Sequence, residues 1–280
     1  LSSLGKTSIE TLKATTLAAL TNLQKISLPA TLKEVESGAF AANENLLWAD
    51  FAACTEADVL TESNIGTLGF VDHALIYAPE NFAGTGYTNV VYGSEGNLRC
   101  DRFIFSDNAA YAVPREFKAA AIRYDRLFGQ GETATLCLPF DMEVPSGAKV
   151  CLLNDEEGDT MFVAQIEVES IEANRPYVII ADEELTFATE NETLVPVVHD
   201  KLEPVSTGSY AMRGTFVPVS AKEAKAKSMY ILNDDYSWSL VNDAAEGEQV
   251  LSPYSVYMQA TRIHVPETVF MREALFNIVD

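Results

Sequence analysis

The chain is expected to be mainly β: a short solenoid of leucine-containing repeats followed by an antiparallel β-sandwich-like domain. Two observations predict this. Apolar side chains recur every 23 positions in the amino-terminal segment, a period typical of stacked repeats. Beyond it the chain breaks into short alternating or β-branched runs separated by turn-forming residues, the pattern of a sandwich or related barrel. A length of 280 residues suits two domains, each able to bury its own core. They are assigned to residues 1–95 and 96–280.

The repeat is clearest in the segment running from Asn22 to Phe40, which Asn45 to Phe51 re-enters. Leu46 stands 23 positions after Leu23, and the same offset relates Ile26 to Ala49 and Leu28 to Phe51. Looking backwards it relates Leu32 to Ile9, Val35 to Leu12 and Phe40 to Leu17. Each period reads as a strand, a turn and a return segment, none of which buries its apolar side alone. In Lys25-Ile-Ser-Leu28, alternation sends Ile26 and Leu28 inward and leaves Lys25 and Ser27 on the outer face. Pro29 ends the strand. Leu32, Val35 and Phe40 close the other side, with Gly38 relieving the turn before Ala39 and Phe40.

The pattern Leu-x-x-Ile-x-Leu-Pro-x-x-Leu-x-x-Val-x-x-x-Ala-Phe resembles the repeat of the BspA-like leucine-rich-repeat surface proteins of Bacteroidetes, with the Leu-Pro and Ala-Phe pairs at the family's spacing. Asn43 and Glu44 stand where that family often has a Cys, and the stretch from Ala52 to Phe70 lacks a clean Ala-Phe pair. About two and a half repeats are visible. Leu75-Ile-Tyr-Ala-Pro79 reads as one more strand ending in proline. The glycine-punctuated Gly84 to Gly93 that follows is similar to the link after the repeats in those proteins, which places the boundary near Glu95.

Strands are expected in the second domain at Arg102–Phe105, Ala119–Tyr124, Thr133–Phe140, Lys149–Leu153, Met161–Val168, Tyr177–Ala181, Leu194–Val198, Tyr210–Val217, Ser228–Leu232, Trp238–Val241 and Ser255–Met258. Ala134, Leu136, Leu138 and Phe140 are expected to share one core-facing side. Hairpin-like connectors are expected at Asn154–Asp159, Asn233–Tyr236 and Asn242–Gly247. Ser220 to Lys227 is the one stretch that looks locally helical. The landmarks Thr135–Phe140, Ala173–Ile180, Arg213–Phe216 and Leu251–Tyr257 are similar to the non-repeat β domain at the end of the same surface proteins. That resemblance implies location better than activity.

With 41 Asp and Glu against 19 Lys and Arg, the formal net charge is −22. Such a surface repels phosphate backbones and anionic lipid, so neither nucleic acid nor a membrane surface is an expected partner. No apolar run approaches the roughly 20 residues that span a bilayer. An exported protein, extracellular or at the cell surface, is expected, with a leader or lipid anchor outside this chain. The four cysteines, Cys54, Cys100, Cys137 and Cys151, form no C-x-x-C pair and have no His at metal-ligand spacing, which argues against zinc. Buried free thiols are expected, a Cys137–Cys151 bridge being the alternative.

Chemistry is hard to anchor. The histidines are His73, His199 and His264, and none lies in a nucleophile elbow, a zinc-protease helix or a phosphate loop. Asn154 to Asp159 is rich in oxygen ligands but lacks the spacing and the final glutamate of a calcium hand. No enzyme activity, cofactor or metal is therefore expected, although two carboxylates from distant strands would suffice for a glycosidase.

The surface candidates are Trp48, which maps onto Lys25 one repeat earlier, and Asp50, which maps onto Ser27. An outward tryptophan can stack on a sugar ring or anchor a protein partner, or else pack against a neighbouring domain. The leading expectation is a non-catalytic interaction or adhesion protein whose repeat face, Lys25, Ser27, Trp48 and Asp50, binds a host or bacterial surface protein or glycan. The alternative is a glycan-binding accessory of a polysaccharide-uptake system.

Overall fold

The computed structural model describes residues 4–107, 109–110, 113–157, 162–181, 183, 185–190, 202–261 and 266–272. The chain divides into two units. The first comprises Leu1–Ser106, Arg115–Tyr124 and Ala188–Thr193, the second Asp107–Pro114, Asp125–Phe187 and Leu194–Asp280. Glu95 lies inside the first.

The first unit carries β1 (Thr11–Leu12), β2 (Lys25–Ser27), β3 (Glu34–Val35), β4 (Trp48–Asp50), β5 (Leu75–Tyr77), β6 (Val90–Tyr92) and β7 (Arg99–Ser106), with β8 (Lys118–Phe128) following. Strands β2, β4, β5 and β6 lie side by side in parallel, and β7 joins β6 antiparallel. The register reproduces the repeat: Lys25 faces Trp48, Ile26 faces Ala49 and Ser27 faces Asp50. On the return side, β1 and β3 pair in parallel with Thr11 opposite Glu34 and Leu12 opposite Val35, again 23 positions apart. The next coil is longer, setting Ala49 against Ile76, and the one after is shorter, setting Ile76 against Val90. Gly84 to Gly93, read from the sequence as a link, thus contributes a fourth parallel strand.

The coil interior is dry. Ile26, Leu28, Leu32, Phe40, Leu46, Ala49 and Phe51 are all buried. Phe40 stacks on Phe70 with ring centroids 4.4 Å apart and meets Phe51 edge-on at 6.1 Å, so Phe70 fills the place for which no Ala-Phe pair was visible. Gly38 has φ of +73°, a conformation that penalises any side chain bearing a Cβ. Asn43 is buried, and its amide donates to the carbonyls of Leu17 and Leu20 at 3.2 and 2.9 Å. This side chain ties its coil to the one before it.

The second unit is built mainly from β9 (Thr133–Leu136), β10 (Met142–Glu143), β11 (Ala148–Glu157), β12 (Phe162–Val168), β13 (Ser170–Ile171), β14 (Tyr177–Ala181), β15 (Leu185–Glu190), β16 (Val205–Ser206), β17 (Tyr210–Thr215), β18 (Val219–Ser220), β19 (Met229–Leu232), β20 (Ser237–Leu240), β21 (Gln249–Leu251), β22 (Ser255–Ala260) and β23 (Thr268–Arg272). Strand β15, whose residues from Ala188 onward belong to the first unit, extends that unit's sheet beside β8. Ten of the others form one sheet in the order β16-β17-β22-β19-β20-β23-β12-β11-β14-β9. It is antiparallel except where β12 meets β23. The sheet curls over: Cys137 N donates to Tyr254 O and Val256 N to Thr135 Oγ1, both at 2.9 Å. A single folded sheet thereby does the work of the expected sandwich.

Several expected elements shift. The strand starting at Thr133 stops at Leu136, because Cys137 and Leu138 turn their backbone groups to Tyr254 and Asn174. Thr135 and Cys137 are buried along with Ala134, Leu136, Leu138 and Phe140, so this segment is enclosed on both sides rather than on one face. Asn154 to Glu157 continues β11, and Gly158 and Asp159 lie outside the described residues, as does Leu194–Val198. Asn233 to Tyr236 is a hairpin turn between β19 and β20, whereas Asn242–Gly247 leads to β21, which pairs with β18 instead. The helix α1 (Ala221–Ala226) forms within the expected stretch, Ser220 Oγ accepting from Glu223 N. Gly214 in the Arg213–Phe216 landmark packs so tightly on Cys137 that a Cβ there meets the thiol.

Candidate functional site

On the ribbon formed by β2, β4 and β5, inward residues Ile26, Ala49 and Ile76 are buried, while Lys25, Ser27, Trp48 and Asp50 are half-buried on the opposite face. The register makes Lys25 the direct neighbour of Trp48, and Ser27 that of Asp50. Strands here are about 4.8 Å apart, so the four form one small patch. The next strand presents Leu75 beside Trp48 and Tyr77 beside Asp50, both buried.

The patch is anchored by a residue from far along the chain. Arg115 Nη2 donates to Asp50 Oδ1 at 2.9 Å, and the guanidinium lies 4.5 Å from the Tyr77 ring centroid. The Tyr77 hydroxyl donates in turn to the Arg115 carbonyl at 2.9 Å, and Glu95 approaches the other Arg115 terminal nitrogen at 3.7 Å. Asp50 Oδ1 also accepts from Ala52 N at 2.9 Å. Asp50 is thus a structural acceptor, and the outward groups left for a ligand are the Trp48 ring, the Lys25 ammonium and the Ser27 hydroxyl. Arg115, Tyr77 and Glu95 were not foreseen. Tyr77 sits at the Asp50 position of the following coil, where its register gives a signal, but nothing local marks Arg115.

Burial raises the pKa of three thiols. Burial, with Asp50 adding to it, pushes the Cys54 thiol up to about 11. Cys100 is pushed up to about 12 by burial, and burial also raises Cys137. Thiolates, the reactive form, are therefore scarce near neutrality. All four cysteines are buried and none is in a disulfide, Cys137 and Cys151 included. Burial of the Tyr77 hydroxyl likewise raises its pKa. Burial lowers His73, with Asp72 and the Leu46 backbone opposing the shift; His199 and His264 lie outside the described residues. Among the described residues no group of three His, Cys, Asp or Glu side chains is placed to hold a metal ion, and no helix is long and apolar enough to cross a membrane.

No protein-family model, curated protein or solved structure matches the chain.

Proposed function

We propose that this chain is a non-catalytic interaction or adhesion protein, exported and displayed at the cell surface, that binds a macromolecular partner through the outer face of its parallel ribbon. The observation that carries the reading is the register of β2 and β4, which sets the half-buried Trp48 ring beside Lys25 on a short row fixed from one side by Arg115. A rigid aromatic flanked by a flexible cation is the composition expected of an interface centre, where aromatic anchors carry most of the binding energy. Repeats similar to those of the BspA-like surface proteins support the location. The proposed partner is a host or bacterial surface protein, with a glycan as the competing class.

Two binding assays on the full chain separate them: immobilised extracellular-matrix and bacterial surface proteins on one sensor, and a glycan array on the other. Saturable binding to a protein, weakened at least tenfold by Trp48→Ala and measurably by Lys25→Glu, supports the proposal. Binding restricted to sugars and lost in Trp48→Ala moves the chain to the glycan-accessory class. Binding indifferent to both substitutions removes the ribbon face from consideration.

A further inference from the structure

A second surface with binding chemistry lies in the second unit, independent of the ribbon. Strands β19, β20 and β23 are adjacent, and their register places Ile231, Ser239 and Thr268 in one row across the sheet. The next row along β20 and β23 holds Ser237 beside Phe270. Alternation puts Thr268 and Phe270 on the same face, opposite the buried Val269.

This face carries a fixed line of polar groups. Asn233 Nδ2 donates to Ser237 Oγ and to Ser239 Oγ, both at 2.9 Å. Ser237 Oγ donates to Asp235 Oδ1 at 2.5 Å, and Ser239 Oγ lies 3.4 Å from Thr268 Oγ1. Hydroxyls oriented in advance lose little entropy when a ligand arrives. Asn233, Ser239 and Thr268 line a groove of about 480 Å³, within the size range of small-ligand sites. Asp243, Glu248 and Glu267 also line it, and among the described residues no Lys, Arg or His does.

The aromatic exposure is concentrated here. Among the described residues four large hydrophobics are exposed, and two of them, Phe270 at 51% and Tyr236 at 41%, belong to this corner. The backbone at Tyr236 is tied to β23, Met271 N donating to Tyr236 O at 3.0 Å. Phe270 keeps about half its surface in water, apolar area that a sugar face stacked on the ring would cover.

We infer that this groove, together with Phe270 two residues beyond Thr268 on the same strand face, is a binding site for a neutral oligosaccharide. A sugar presents apolar C–H faces that suit an aromatic ring and hydroxyls that suit an ordered row of Ser, Thr, Asn and carboxylate oxygens. The carboxylates of Asp243, Glu248 and Glu267 disfavour sulfated, phosphorylated or uronic acid sugars by like-charge repulsion. A cationic peptide is the rival class. It is disfavoured because Glu248 is already engaged, its carboxylate accepting from Ala245 N at 3.2 Å, and because the row of paired hydroxyls on Ser237, Ser239 and Thr268 matches the donor-and-acceptor hydroxyls of a sugar, whereas an ammonium only donates.

The test is isothermal titration of the full chain with neutral hexaoses of the gluco, manno, galacto and xylo series, alongside hexalysine. Binding of at least one hexaose is expected, weakened tenfold or more by Phe270→Ala and by Thr268→Val, with unchanged melting temperature because Phe270 is exposed. Trp48→Ala leaves this binding intact, which keeps the outcome separate from the fate of the ribbon proposal. Three results each overturn the inference: no hexaose binding at millimolar concentration, hexaose binding untouched by Phe270→Ala, or a preference for hexalysine.

Discussion

Arg115 is held to Asp50 by a 2.9 Å hydrogen-bonded ion pair although 65 positions separate them in the chain. Both side chains are about three-quarters shielded, at 24% and 23% exposure, so the pair sits between a surface bridge of little worth and a buried one that is costly to break. Arg115→Met leaves Asp50 shielded without its cation and removes the stacking on Tyr77. A destabilisation of about 1–3 kcal/mol is expected, from values bracketing the two cases, read as a lower urea midpoint at unchanged slope. A midpoint indistinguishable from wild type contradicts the anchoring role.

Phe40 is the plug of the coil interior, against Phe70 and Phe51. Phe40→Ala is expected to cost about 3–5 kcal/mol, the range for a fully buried aromatic, whereas Phe40→Leu is expected to cost less by keeping most of the volume. Chemical denaturation of the two variants checks the ordering.

His73 gives a pH dependence with a definite sign. Its folded pKa lies below the ordinary 6.5 because burial disfavours the imidazolium. The unfolded chain therefore takes up the proton first, so His73's contribution to stability is complete above 6.5 and declines as pH falls through that value towards the folded pKa. His73→Gln is expected to flatten the loss of stability between pH 7 and pH 5. If wild type and variant lose equal stability across that interval, this account of His73 is wrong.

The thiols offer a direct probe of packing. With Cys54 and Cys100 raised and all four cysteines buried and unbridged, Ellman's reagent at pH 7.5 is expected to react slowly with the native chain and to release four equivalents in guanidinium. Fewer equivalents in non-reducing denaturant reveal a bridge and refute the free-thiol arrangement.

At the helix, Ser220 Oγ accepts the Glu223 backbone N–H at 3.3 Å. Ser220→Ala is expected to cost about 1 kcal/mol, the usual loss for an N-cap, with Ser220→Asp restoring most of it. Thermal unfolding of the pair measures both.

The 23-residue offset was legible because stacked coils of equal length must place equivalent residues side by side, and Lys25–Trp48 and Leu12–Val35 do so. The fourth parallel strand was not, because Val90 follows Ile76 by a coil too short to carry the return segment whose apolar spacing marks a repeat. Strands β15 and β23 escaped for a different reason: Leu185–Glu190 and Thr268–Arg272 are short, and their pairing comes from neighbours distant in sequence. The patch Lys25, Ser27, Trp48 and Asp50 followed from periodicity alone. Its anchor did not, since a contact such as Arg115 to Asp50 depends on tertiary closure and leaves no local pattern. Likewise the groove beside Phe270 draws on three strands whose register no single segment encodes.

The equal coils around β2 and β4 make this part of the molecule extensible in whole units. Splicing a copy of Asn22–Glu44 in after Glu44 adds one rung of about 4.8 Å and duplicates the Lys25 row without altering any pairing further along. Splicing in a segment a few residues longer or shorter instead shifts which side chains face inward, so length tolerance there is quantised, and libraries that vary rung number offer a ruler for the reach of whatever docks on that face.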